Sequence, residues 1–228
     1  MLVIAPHASQ SLPDPVLRAT YAPLNDTHFA VDIGTAELAA GLAASTGAML
    51  FSGQVGRLGI DLNRSLETAY HADRPHAYPT VDDPAKRRSL AAQYADFHSS
   101  IAAHLLMAGS NTQPVYLIDV HSFNRTWRDQ RRVVDIGVCD HKLNDAAQKL
   151  MTLLQDEFGA THSVQMDEPY PGTHPGAFIG RHYHTMGATT VTIEICNDLI
   201  ATSDARADLL PGLSRALTRL KSEGIRNV

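Results

Sequence analysis

Three polar residues stand where apolar, β-prone runs break off: His7 follows residues 2–5, His121 follows residues 114–120, and Glu194 lies within residues 189–196. In open α/β sheets the carboxyl ends of buried strands are where sites collect, so residues delivered there are candidates for chemistry. Two imidazoles and one carboxylate form a common ligand set for catalytic zinc, which leaves a position for water and lowers its pKa toward ~7. Asp32, at the start of a helix, and Glu194, a charge among apolar neighbours, are the carboxylates on offer, one as a ligand and an additional one as a general base. Arg57, Asn63 and Arg64, with Asp61 between them, form a compact set of donors suited to a carboxylate, and an arginine can stabilise a developing oxyanion. This equipment suits metal-assisted hydrolysis of an amide or ester in an anionic substrate.

Each of these residues has a structural alternative. His121 could be a core histidine satisfied by Asp119 or by backbone, and Glu194 could be salt-bridged. Asp26 and Asp32, with His28 beside them, lie just before or within a first helical turn, where acids favour the exposed amide ends. An Asp61–arginine ion pair could simply tie down a loop base. His182 and His184 could chelate a metal or face solvent from the start of a helix or strand.

The composition narrows the class. A net charge of −5 and a pI near 6.1, with no basic stripe, exclude a nucleic-acid surface. The one basic run, Lys86-Arg87-Arg88, is expected to face solvent from a helix. No apolar run approaches the roughly 20 residues of a membrane span, and no basic segment precedes a long hydrophobic one, so the expected location is the cytoplasm. Cys139 and Cys196 fall in apolar runs and are expected as buried, reduced thiols. Twelve histidines in 228 residues exceed ordinary usage and invite a metal. The length suits one domain spanning residues 1–228.

The elements that must position these residues follow from periodicity. Leu38 and Leu42 mark an Ala-rich helix that ends near Thr46 with Gly47 as its stop, and residues 48–51 form the next strand. Residues 56–64 alternate enough for a strand or extended edge, ahead of a polar loop containing Pro75, Pro79 and Pro84. Leu90, Tyr94, Phe97, Ile101 and Leu105 trace a long amphipathic helix over about 83–107, on which His98 and His104 are too far out of phase to pair on one metal. A strand is expected at 132–139, then a helix marked by Leu143, Ala147, Leu150, Leu153, Leu154 and Phe158. The Gly- and Pro-rich residues 170–180 form a substrate-covering loop, and a final helix spans about 204–220. Alternating strands and helices indicate a three-layer α/β/α sandwich around a mixed, mainly parallel sheet.

Five short motifs, PHAS, HFAVDIG, RLGIDLNR, DVHS and TIEI, occur in an order and spacing that resemble the N-formylglutamate amidohydrolase family over nearly the whole chain. That resemblance implies a fold similar to the zinc carboxypeptidases and aspartoacylases. It implies hydrolysis of N-formyl-L-glutamate to formate and glutamate, late in one route of histidine degradation. One zinc ion, or another divalent metal, is expected as cofactor, and a small anionic molecule as substrate.

The resemblance also implies roles for individual residues. His7 and His121 match metal-binding histidines, and Glu194 matches the glutamate that handles the water proton. Asn63 and Arg64 match the pair that holds a substrate carboxylate, and Arg57 is placed like the arginine that polarises the scissile carbonyl. Related enzymes take a second metal ligand from a glutamate three residues after the first histidine, where this chain has the neutral Gln10. Asp32 is the expected replacement, with Asp26 and His28 as alternatives. A second substrate carboxylate requires another cation, for which Arg181 and Arg125 are the candidates. Two competing classes remain: another zinc amidase or peptidase on this scaffold, differing in the loops at 65–84 and 168–182, and a relative without catalytic activity.

Overall fold

A run of apolar and β-prone residues long enough to cross a sheet, and buried on both faces, becomes its centre. In the computed structural model, which describes residues 1–71, 78–108, 114–139, 145–174 and 177–223, that centre is β3 (Tyr116–Phe123), every residue of which is buried. With β1 (Leu2–Ala5), β2 (Met49–Ser52), β6 (Ile136–Cys139), β7 (Val164–Met166) and β8 (Thr189–Cys196), it forms a sheet of order β2-β1-β3-β8-β6-β7. All neighbours are parallel except β6 and β8, which run antiparallel. The remaining strands, β4 (Thr126–Trp127) and β5 (Gln130–Arg131), make a separate hairpin. The sandwich with a mixed, mainly parallel sheet is therefore present as expected.

The helices are α1 (Pro15–Tyr21), α2 (Thr35–Thr46), α3 (Pro84–Ala108), α4 (Asp145–Phe158), α5 (Phe178–Thr185) and α6 (Ser203–Glu223). On one sheet face Val3, Ala5, Ile118, Val120, Ile193 and Ile195 pack against Leu38 and Leu42 of α2, Leu150 and Leu154 of α4, and Leu213 and Leu217 of α6. Each such leucine contributes roughly 1.5–3 kcal/mol when fully buried. On the other face Leu2, Ile4 and Leu117 meet Ile101 and Leu105 of α3 and Ile179 and Tyr183 of α5. Side chains alternate along a strand, so that second face continues through Asp119, His121, Thr192 and Glu194. It is apolar under the helices and polar towards the carboxyl ends. This change of character marks the site.

Three expectations need correction. Residues 56–64 form turns, not a strand. Their alternation has another cause: Leu58, Ile60 and Leu62 enter a satellite core with Leu12, Tyr21, Leu24, Leu90 and Tyr94. The turns close on themselves, Gly59 N–H donating to Gly56 O and Asp61 N–H to Ala69 O. The strand expected from residue 132 begins at Ile136, because Gln130 and Arg131 pair back onto Thr126 and Trp127. That hairpin turns through Arg128 and Asp129, both at positive φ (47° and 65°), as a tight two-residue turn requires. Ahead of the turns at 56–64, α1 is capped by Asp14, which accepts from Leu17 N–H, with Pro15 in the first turn. The 170–180 loop ends early, at α5. Leu143 and Pro75 lie outside the described residues.

Both cysteines are buried free thiols. Among the described residues no helix is long and apolar enough to cross a membrane.

His98 of α3 ties the turns at 56–64 to α5. Its Nε2–H donates to Leu62 O at 3.1 Å, which leaves Nδ1 to accept from the Tyr183 hydroxyl at 2.7 Å. The neutral ring satisfies both partners. Burial, assisted by the nearby His182, lowers the His98 pKa to about 4, whereas an unfolded histidine titrates near ~6.5. Between these values the unfolded chain binds more protons. The contribution is therefore complete above ~6.5 and lost as pH falls towards 4, amounting to about 3 kcal/mol. Urea unfolding midpoints should consequently drop less between pH 7 and pH 5 in His98→Gln than in the wild type. Equal pH slopes in the two proteins would contradict this assignment.

Candidate metal and catalytic site

Three elements deliver the central groups. His7 lies in the turn leaving β1, His121 near the carboxyl end of β3, and Asp32 in the bend before α2, where its N–H donates to His7 O at 3.0 Å. That bend needs Gly34, which has φ +83° and whose added Cβ would lie 2.2 Å from Ile200 O. Gly34 caps α2 without a side chain. The Asp32 carboxylate is thus not a helix cap and points to the histidines.

His7 Nδ1 lies 3.4 Å and His121 Nδ1 2.8 Å from Asp32 Oδ2. All three residues are buried. Burial favours protonation of Asp32, but Arg57, His7 and His121 outweigh it and hold its carboxyl well below the usual range. Arg57 Nη2 donates to Asp32 Oδ1 at 2.6 Å and to His28 O, and its Nη1 lies 3.3 Å from His7 Nδ1.

The far nitrogens of both rings are also engaged. His7 Nε2 is 2.7 Å from Asp61 Oδ1. Asp61 also accepts from Asn63 N–H and Arg64 Nε. Burial would raise its pKa, yet His7, Arg57 and Arg64 hold the carboxyl well below its usual range. An ionised acid only accepts, so His7 donates to Asp61 from Nε2 and turns Nδ1 towards Asp32. His121 Nε2 lies 3.2 Å from Asp119 Oδ1 and 3.1 Å from Asn63 Nδ2. Burial disfavours its charge, but Asp119 and Asp32 prevail and raise its pKa well above the ordinary value. Without an ion, a protonated His121 bridges two acids; an ion at Nδ1 would displace that proton.

Glu194 is paired in register with His121 across β3 and β8. Its Oε2 is buried and has no hydrogen-bond partner. Burial, reinforced by Asp32 and Asp119 against His121 and His7, raises its pKa to about 7. A carboxyl so poised can take a proton and return it near neutral pH. Gly137 opposite leaves room for the chain to close here, since a Cβ would sit 1.7 Å from Glu168 O.

These groups line a cavity of about 360 Å³, with Arg57, Asn63 and Arg64 on its wall. The profile of a family described as N-formylglutamate amidohydrolase matches residues 1–201. The chain belongs to the N-formylglutamate amidohydrolase family. A gene product of Agrobacterium tumefaciens has a solved structure with 25% identity and a TM-score of 0.82, covering 97% of this chain and 90% of that one. An N-formylglutamate amidohydrolase from Ralstonia eutropha shares the fold at 19% identity and a TM-score of 0.69, covering 100% and 94%. No curated protein matches. The family is one of amide hydrolases, and this cavity holds groups suited to such chemistry.

The structure brings Asp32, and none of its alternatives, to the two imidazoles. Gln10 is exposed and its Oε1 accepts from Asp26 N–H. Asp26 is exposed, and His28 packs tilted against Phe29 and edge-on to Trp127 with its Nδ1 2.9 Å from Asn124 Nδ2. His7, Asp32 and His121 are the one cluster of three or more metal-binding side chains among the described residues. His182 does not join a metal cluster; its ring stacks on Phe178.

Two sequence candidates are not brought to the cavity. Arg125 donates to Asp135, Asp198 and Val134 O behind the wall, so these protein acceptors occupy its guanidinium. Arg181 donates to His174 O and likewise does not line the cavity. The sequence reading missed Arg132 and Trp127, which do line it, while Tyr170 and His174 enter from the loop expected to cover substrate. The Arg-Arg pair at 131–132 carried no local signal, because the hairpin alone decides which of the two faces inward.

Asp61→Asn would keep the shape at His7 while removing the charge that fixes its proton on Nε2. Affinity for zinc should fall roughly 10–100-fold, measured by competition with a chromophoric chelator. Unchanged affinity would show that the Asp61 contact does not set the His7 tautomer.

Proposed function

We propose that the chain is a zinc-dependent hydrolase of the amide bond in an N-formyl or N-acyl acidic amino acid, with N-formyl-L-glutamate as the foremost substrate and formate and glutamate as products. The observation that carries this is the buried His7–Asp32–His121 cluster beside the unpartnered Oε2 of Glu194. The donor set fits a divalent ion: two ring nitrogens face one carboxylate oxygen, and each ring is anchored by an acid on its far side. When bound by these residues, zinc would act as a Lewis acid that makes water nucleophilic near neutral pH.

The chain's own residues divide the remaining work. Glu194 accepts a proton from the attacking water as the C–O bond forms. It then delivers that proton to the amide nitrogen as the C–N bond breaks, so one water is consumed and an acid and an amine leave. Arg57 donates to the oxyanion that develops on the carbonyl oxygen. Asn63 is held in one orientation because its Oδ1 accepts from Ile179 N–H at 2.8 Å. Arg64 is oriented through Nε by Asp61. This pair binds the substrate α-carboxylate.

Glu194→Gln removes the proton carrier and leaves the three ligands in place. Turnover should fall at least ~100-fold while zinc content, read by elemental analysis, stays at the wild-type value. Near-wild-type rates would rule out the proton-transfer role. A screen of N-formyl and N-acetyl amino acids with the zinc-loaded enzyme should single out formylglutamate, and a chelator should abolish the activity. Uniform inactivity across that screen would overturn the function proposed.

A further inference from the structure

The arginines around the cavity differ in what already neutralises them. Arg57 is paired with Asp32, and Arg64 with Asp61. Arg128 and Arg132 line the same cavity and make no ion pair among the described residues; Arg128 is exposed, whereas Arg132 is half-buried. Its guanidinium lies 4.8 Å from the ring centre of Tyr170 and 5.4 Å from that of Phe123. Nη1 donates to Asn124 O at 3.3 Å and Nη2 to the Tyr170 hydroxyl at 2.9 Å. A guanidinium has five N–H donors, so these two bonds leave three for a ligand.

Arg132 and Arg64 reach the cavity from different elements. Arg64 enters on the segment that follows edge strand β2, while Tyr170, which steadies Arg132, follows the other edge strand, β7. Between these edges lie His121 on β3 and Glu194 on β8. Arg64, Arg132, His121 and Glu194 all line the one cavity, so a molecule held there can meet both arginines and the reacting groups. An uncompensated, half-buried cation fixed by aromatic contacts is preorganised for a planar anion, and a carboxylate matches its fork in bidentate fashion.

On the footing of the amide-hydrolase function proposed above, we propose that Arg132, steadied by Tyr170 and Phe123, binds the side-chain carboxylate of the substrate and makes the site selective for N-acyl dicarboxylic amino acids. Arg132 takes the role for which the sequence offered Arg181 and Arg125. Neither of those lines the cavity.

The test compares N-formyl-L-glutamate with N-formyl-L-glutamine, which has nearly the same shape but no side-chain charge. The wild type should prefer formylglutamate. In Arg132→Gln the ratio of kcat/KM for the two substrates should fall at least about tenfold, the scale of one lost charged hydrogen bond, mostly through KM for formylglutamate. Arg132→Lys, which keeps the charge without the fork, should recover part of that ratio. Thermal melting and zinc content check that each variant is folded and loaded.

Binding is measured separately by calorimetry, with glutarate and butyrate as probes of zinc-loaded protein. The wild type should favour glutarate, and Arg132→Gln should lose that advantage. A substrate ratio that stays within threefold, or an undiminished preference for glutarate, overturns the subsite. If the wild type cleaves neither formyl substrate, the proposed hydrolysis fails. Loss of the glutarate preference in Arg132→Gln would still support the carboxylate subsite.

Discussion

Asp32 carries a charge in one of the least solvated places in the protein, and the site depends on how that charge is compensated. A buried, ionised carboxylate is strongly disfavoured unless cations and donors surround it. Asp32 has Arg57 on one oxygen and both imidazoles near the other. Each compensating group then needs its own support. His7 obtains it from Asp61 and His121 from Asp119, while Asp61 also orients Arg64. The result is a network in which acids and bases alternate. Removing one member exposes the next to an uncompensated environment, so the arrangement is stiff without any dedicated rigid element.

That network can exist because one face of the sheet changes character along its strands. Leu117 and Ile4 lie under α3 and α5, and the same face continues to Asp119, His121 and Glu194 beyond them. A one-residue shift of β3 against β8 would uncouple His121 from Glu194. The hydrophobic packing on the opposite face opposes such a shift, since it would also displace Ile118, Val120, Ile193 and Ile195. Core packing therefore maintains the distance between His121 and Glu194. The satellite core has a similar effect on the turns at 56–64, where burial of Leu58, Ile60 and Leu62 holds Arg57, Asp61, Asn63 and Arg64 at the cavity.

Local pattern was enough to locate the strand-end residues. An apolar run that stops at His7 or His121, or encloses Glu194, is legible because a buried strand has few reasons to carry such groups. The choice among Asp26, His28, Asp32 and Gln10 was not legible. It depends on the left-handed turn at Gly34 packed against Ile200, and on the hydrogen bond from Asp32 N–H to His7 O. Residues 56–64 misled for a related reason: alternating burial looks the same whether the apolar side chains face a sheet neighbour or a core beneath a loop. Arg132 had no signal of its own, because Phe123 and Tyr170, which define its environment, come from other elements.

The division of charge around the cavity links structure to specificity. Arg57 and Arg64 each come with an acid, so they act as oriented donors with little net field at their own ends. Arg132 brings no such acid and leaves one end of the cavity electropositive. Glu194 lines the same cavity, raised towards neutrality by burial and by the neighbouring acids Asp32 and Asp119. A substrate that places an anion beside Arg132 supplies the compensation that end lacks. A neutral analogue would bury the guanidinium further without doing so, and the cost of leaving it unpaired discriminates against that analogue. Selection would then arise from the same requirement that organises Asp32: a charge removed from water must meet its complement.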